Sequence, residues 1–151
     1  MDTFDKIGQV YIDALTGVIA TCAGVTLEVS NRQPNNNFDE VTGVMYLNGK
    51  KVGMLFVTAQ RPDVKLLCSR IIGVSIADVT EDEIDDTMCE IINMTAGSAK
   101  LRLSGSEYIF NLSSPFLLKG QNMHIIGKKK TRIISKVLGN EEISVKIKVV
   151  Y

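Results

Sequence analysis

Residues 80–102 read TEDEIDDTMCEIINMTAGSAKLR, from Thr80 to Arg102. Thr80 followed three residues later by Glu83 is a capping box, the reciprocal pairing of side chain and backbone that starts a helix. Val79 and Ile84 flank it at the positions of a hydrophobic staple. With each residue advancing about 100° around the axis, Ile84, Met88, Ile91, Ile92, Thr95 and Ala99 fall on one side and face a core. Asp86, Glu90, Asn93 and Gly97 fall together on the other side. Glu90 and Asn93, three residues apart, are surface neighbours with Cβ atoms about 5–6 Å apart. Gly97, one turn beyond Asn93, removes a side chain and lets another surface approach the backbone. The helix is expected to run to Arg102, with Gly105 just past its end.

Working outward, Phe4, Ile7, Tyr11, Leu15, Val18 and Cys22 recur at helical spacing, with Asp2 as cap and Gly24 as stop. Val25 to Val29 alternates like a strand, and Asn31 to Asn37, with Pro34 and three consecutive asparagines, is a loop. Thr42 to Thr58 predicts a hairpin turning at Asn48-Gly49, a pair suited to a type I′ turn. Pro62 opens a short amphipathic helix through Val64, Leu67, Cys68, Ile71 and Ile72, ending at Gly73. The C-terminal third predicts strands at Tyr108–Phe110, Met123–Ile126, Thr131–Leu138 and Ile143–Tyr151, with a last turn at Gly139-Asn140.

A chain of 151 residues, 45% hydrophobic, is long enough for one domain with a real core, so residues 1–151 are expected to form a single domain. Lysine plus arginine and aspartate plus glutamate both total 17, which argues against nucleic acid or a membrane surface as partner. The balance is uneven along the chain: up to Leu118 there are 9 basic and 15 acidic residues, and from Lys119 onward 8 basic and 2 acidic. Cys22, Cys68 and Cys89 are odd in number and lie in apolar helical patterns, as buried free thiols do. With no basic leader and no apolar stretch long enough for a bilayer, a cytoplasmic protein is expected.

Asp86-x-x-x-Glu90-x-x-Asn93, followed after 21 intervening residues by Pro115, resembles the signature of the CheC/CheX/FliY chemotaxis phosphatases. The string Glu90-Ile91-Ile92-Asn93-Met94-Thr95-Ala96-Gly97-Ser98-Ala99-Lys100 is similar to that family's active helix throughout. The order of elements fits over nearly the whole chain. The resemblance implies an α+β fold, a largely antiparallel sheet with long helices packed on one face. It also implies a phosphatase acting on the aspartyl phosphate of a CheY-like response regulator. Asn93 would orient the attacking water, and Glu90 would pair with the regulator's active-site lysine. Asp86, Gly97 and Pro115 would belong to the docking surface. No cofactor is expected on this chain, and Mg²⁺ is expected on the regulator. Members of the CheC type carry two active helices related by pseudo-symmetry. Here the first helix offers Asp13-Ala14-Leu15-Thr16 where a second pair would stand, so one site is expected, as in CheX-like members, which form homodimers through their sheets.

Other features point elsewhere. Glu28-Val29-Ser30-Asn31 also fits Glu-x-x-Asn, but on a strand residues three apart face opposite sides. His124 is the only histidine and has no second one to complete a ligand set, so a structural role is expected. Lys128-Lys129-Lys130-Thr131-Arg132 could steer an acidic regulator surface, but such a run is more often a solvated strand end or an edge guarded against aggregation. Two functions compete with the phosphatase: a non-catalytic module related to flagellar switch proteins that binds a phosphorylated regulator, and a structural or ligand-sensing domain whose polar stripe is only solvated.

Overall fold

The Asp2 carboxylate accepts a hydrogen bond from the Asp5 N–H and starts helix α1, Thr3–Ala23, in the computed structural model, which describes residues 2–32 and 34–151. Helix α2, Arg61–Ile72, begins with Pro62 in its first turn, where the missing N–H costs nothing. Gly24 and Gly73 stop the two helices with φ near 65° and 75°, a left-handed conformation that glycine adopts without strain. A single 3₁₀ turn, Ile76–Asp78, leads to α3, Glu81–Arg102, where both halves of the expected capping box form. Thr80 Oγ1 accepts from the Glu83 N–H, and the Glu83 carboxylate accepts from the Thr80 N–H at 2.9 Å.

The strands are β1 (Glu28–Val29), β2 (Val41–Gly49), β3 (Gly53–Ala59), β4 (Phe110–Asn111), β5 (Phe116–Lys119), β6 (Ile133–Gly139) and β7 (Ser144–Val150). They form one antiparallel sheet in the order β1-β6-β7-β3-β2, with β4 and β5 both pairing with β2 along its outer side. All three helices pack on one face, as expected for the α+β class. The alternation of β2 fixes which face: Val41, Met45 and Leu47 join the helical core. Gly43 completes that row, since a Cβ there would lie 3.2 Å from Met88 Cγ and 3.5 Å from Ile92 Cβ. The glycine therefore lets α3 settle closely onto β2.

The sheet's other face is covered by the segments before β2 and before β6. Phe38 packs on Phe56 with ring centroids 5.0 Å apart. Asp39 accepts from Lys146 Nζ at 3.1 Å and from Gln60 Nε2 at 3.0 Å, tying its loop to the sheet. Lys148 is wholly buried on this face, donating to Ser135 Oγ and to the Asn35 carbonyl. Burial lowers its pKa to about 8, with the Lys146 charge adding to the effect and Asp39 opposing it.

Several local expectations need correction. Asn48-Gly49 is not the hairpin turn: Leu47 pairs with Gly53, so the connection is a longer loop through Lys50 and Lys51. Asn48 and Gly49 instead pair sideways with Asn111 and Phe110 of β4. Glycine is needed at 49 because a Cβ would collide with the Ile109 carbonyl. Met123–Ile126 is not a strand; only an isolated bridge joins His124 to Asn37. The strand expected at Val25–Val29 shrinks to two residues, with Val25 and Leu27 buried before it, and the one expected at Tyr108–Phe110 shifts to Phe110–Asn111. The strand β5 is absent from the sequence expectations. Cys68 is buried as expected, but Cys22 and Cys89 are only half-buried; all three are free thiols. The loop expected over 31–37 includes residue 33, which lies outside the described residues.

Candidate functional site

The position of the polar stripe is set by how deeply the opposite side of α3 is buried. Ile84, Met88, Ile91, Ile92, Thr95 and Ala99 are each at most 2% exposed, so all six residues expected on the core side are there. That leaves no rotational freedom for the opposite side: Asp86, Glu90 and Asn93 are exposed and Gly97 half-exposed. A regular helix presents them one turn after another at about 5.4 Å per turn. A Cβ at Gly97 would meet nothing within 4 Å, so this chain's own packing does not require glycine there.

Charged contacts divide the acidic residues of α3 into two groups. Lys119 of β5 donates to both Glu81 and Asp85 at 2.8 Å, and Arg61 of α2 pairs with Glu81 at 2.6 Å. Arg61 first, then Lys119, pulls the Glu81 carboxyl down to a pKa of about 2. Asp86 and Glu90 form no ion pair among the described residues, and Asn93 makes no side-chain hydrogen bond there. Two carboxylates and one carboxamide thus stand free on a rigid helix, with their hydrogen-bonding capacity available to something outside the chain.

Pro115 is half-buried and immediately precedes β5. Lys119, at the far end of that strand, sits beside Glu81 and Asp85, and Phe116 pairs with Val44, one residue past the Gly43 that faces Met88 and Ile92. The strand therefore runs antiparallel to α3 along its flank, and Pro115, just before its start, lies toward the C-terminal half of the helix. Of the five residues expected at the site, four share one helical face and the fifth, Pro115, lies just before the adjoining strand.

Cys89 lies beside the stripe, but burial, together with the carboxylates of Asp86 and Asp85, pushes its thiol pKa up, away from the thiolate needed for attack. Among the described residues no three His, Cys, Asp or Glu side chains are grouped to hold a metal ion. His124 is exposed and lines a polar cleft of about 590 Å³ on the far face of the sheet, which contains no residue of the stripe. Lys128, Lys129 and Lys130 are exposed, and Arg132 pairs with Asp2 while its guanidinium lies 4.1 Å from the Phe4 ring centre.

Sequence reasoning missed the surroundings of the stripe. A trough of about 420 Å³ opens beside it between the three helices, with walls that include Cys22, Ile71, Ile72, Ile91 and Met94, and with Asp86 and Glu90 on its rim. The Cys22 thiol lies 3.7 Å from the Met94 sulfur. A signal was present in Ile71-Ile72-Gly73-Val74-Ser75-Ile76, which carries more branched aliphatics than a helix end and a connector need. Three of them, Ile72, Val74 and Ile76, are exposed.

Comparison with known proteins bears on the fold and the family. No match was found among curated proteins. A CheC-like superfamily protein from Shewanella sp. PV-4 superposes with a TM-score of 0.84 at 22% identity, covering 99% of this chain and 98% of that one. CheX from Vibrio vulnificus gives 0.82 at 20% identity, covering 95% and 97%. The CheX-CheY-BeF3-Mg+2 complex from Borrelia burgdorferi gives 0.74 at 17% identity, covering 94% of each chain. These likenesses establish the fold. The family model described as chemotaxis phosphatase CheX matches residues 41–138, which include α3 and its whole stripe. With that match over most of its length, the chain belongs to the CheX family of chemotaxis phosphatases.

Proposed function

We propose that this protein hydrolyses the aspartyl phosphate of a CheY-like response regulator, with Asn93 orienting the attacking water and Glu90 pairing with the regulator's active-site lysine. The observation that carries this reading is that Glu90 and Asn93, neighbours on a rigid helix, are exposed and without a side-chain partner among the described residues, while Glu81 and Asp85 on the helix's other flank are neutralised within the chain.

Phosphoryl transfer depends on positioning and electrostatics more than on covalent help from the catalyst. Water attacks phosphorus, the bond from phosphorus to the aspartyl oxygen breaks, and the products are the regulator's carboxylate and inorganic phosphate. A carboxamide suits the attacking side, because it can donate to and accept from a water molecule without adding negative charge beside the phosphoryl oxygens. Glu90 cannot be placed against that anion unless a cation intervenes. The lysine of the partner supplies one, and desolvation of the pair on docking makes it a recognition contact. Asp86 adds charge at the rim, Gly97 permits close approach of the partner backbone, and Pro115 shapes a loop near the helix. The Mg²⁺ of the reaction belongs to the regulator, where it offsets charge on the phosphoryl group. A relative of this fold has been solved as a CheX-CheY-BeF3-Mg+2 complex.

Decay of a phosphorylated CheY-like receiver with and without this protein tests the reading. Faster decay supports it; phosphorylation-dependent binding with unchanged decay would instead make this a non-catalytic module of the flagellar-switch kind. A homodimer is part of the proposal. Tyr46, Phe116 and Leu118 lie exposed on one face along the β2–β5 edge, an apolar margin that suits sheet-mediated pairing. Sedimentation showing only monomer at micromolar concentration would remove that part.

A further inference from the structure

We propose that the trough beside α3 receives an apolar side chain of the phosphorylated receiver domain, so that the partner is recognised by a cation and a hydrophobe presented side by side. This rests on the phosphatase reading above.

The trough and the stripe are one continuous surface. Around the axis of α3, Thr87 and Met94 lie about 40–60° to one side of Glu90, and Asn93 lies about 60° to the other. Asp86 and Glu90 separate the two and belong to both. Any globular partner that brings a lysine to Glu90 covers the trough as well. The wall of the trough is open to solvent at Ile72, which is 43% exposed, and the connector leading from it to α3 carries two more exposed aliphatics, Val74 and Ile76. Isolated exposed aliphatics are ordinary, but three in five residues, beginning at the wall of the trough, are a concentration of apolar surface.

The charge on that rim decides the occupant. Asp86 and Glu90 have no cationic partner among the described residues, so the trough is apolar inside and negative at its edge. A second copy of this chain docked on the same surface about a two-fold axis would set these carboxylates against themselves. A partner with a lysine beside an aliphatic or aromatic side chain satisfies both features. The Cys22 and Met94 sulfurs, 3.7 Å apart on the wall, make that wall soft and polarizable, suited to apolar groups of differing shape.

Burying one aliphatic side chain of the partner strengthens binding by roughly tenfold or more. The test titrates a beryllofluoride-activated receiver against wild type, Ile72→Asn, Met94→Gln and, as a control, Ile126→Asn, which alters an exposed isoleucine on the far side of the sheet. Turnover of the phosphorylated receiver is measured in parallel. The expected result is binding about tenfold weaker in Ile72→Asn and Met94→Gln, with KM raised, kcat at saturation kept within about twofold, and Ile126→Asn like wild type. Because Ile72 is exposed, its variant folds even if Met94→Gln does not. Wild-type turnover with unchanged affinity in Ile72→Asn would overturn this inference and leave the phosphatase reading standing. Wild type that neither binds nor accelerates decay would overturn both.

Discussion

Lys119 Nζ lies 2.8 Å from the Asp85 carboxylate, while Asp86, the next residue along α3, has no cation beside it among the described residues. One step of about 100° separates an acid that holds the fold together from one that is free to meet a partner. The same division runs along the helix, with Glu81 and Asp85 facing Lys119 and Arg61, and Asp86 and Glu90 facing solvent.

The paired side predicts an acid-dependent stability. Glu81 has its folded pKa lowered to about 2 by Arg61 and Lys119, so its contribution is fully present above the unfolded value near 4.5 and is lost as pH falls toward 2. Thermal unfolding of wild type and Glu81→Gln should therefore differ most above about pH 5, wild type being the more stable, and converge near pH 2. A gap of the same size at every pH would contradict the assignment.

Gly43 predicts a mechanical link between the sheet and the site. A Cβ there would press on Met88 Cγ at 3.2 Å and touch Ile92 at 3.5 Å, so a branched side chain crowds two residues that face the core beneath the stripe. Gly43→Val should cost about 1–3 kcal/mol in denaturant unfolding, as overpacking does. Phosphatase activity of the folded variant should fall as well, because a shift of about 1 Å in a positioned group can cost a hundredfold. Full activity with reduced stability would show that the stripe tolerates movement of α3.

Gly97 predicts a conflict between stability and docking. Glycine inside a helix is about 1 kcal/mol worse than alanine, and no neighbour would meet the added methyl group. Gly97→Ala should raise stability by about 0.5–1 kcal/mol while weakening receiver binding several-fold. A variant that is stabilised and binds normally would remove Gly97 from the interface.

Glu90→Gln keeps shape and removes charge. It should leave stability unchanged, since Glu90 has no ion pair among the described residues. Receiver affinity should drop by roughly ten- to a hundredfold, the scale of losing one partner of a desolvated charge pair. Unchanged affinity would mean that the regulator's lysine does not meet Glu90.

The helical part of this fold was legible because its signals are local. Thr80 and Glu83, Asp2, Pro62 and Gly73 each declare a boundary within a few residues, and the periodicity of α3 alone separates Ile92 from Asn93. The sheet was less legible because pairing is decided by distant chain. Asn48-Gly49 looks like a turn in isolation, but β4 claims it from the side, and nothing near Phe116 announces that Val44 will be its partner. The candidate site divides in the same way. Asp86, Glu90, Asn93 and Gly97 lie on one helix and could be read from spacing. The trough joins Cys22, Ile72 and Met94 from three helices, and only the packed structure brings them together.

The most direct test of the central claim is Asn93→Ala, compared with wild type for decay of a phosphorylated CheY-like receiver and for binding to its beryllofluoride-activated form. The account predicts that wild type accelerates decay, that the variant loses about a hundredfold or more of that acceleration, and that both bind equally well within a few-fold. A variant that binds normally and still accelerates decay like wild type would contradict the assignment of Asn93 as the group that orients water.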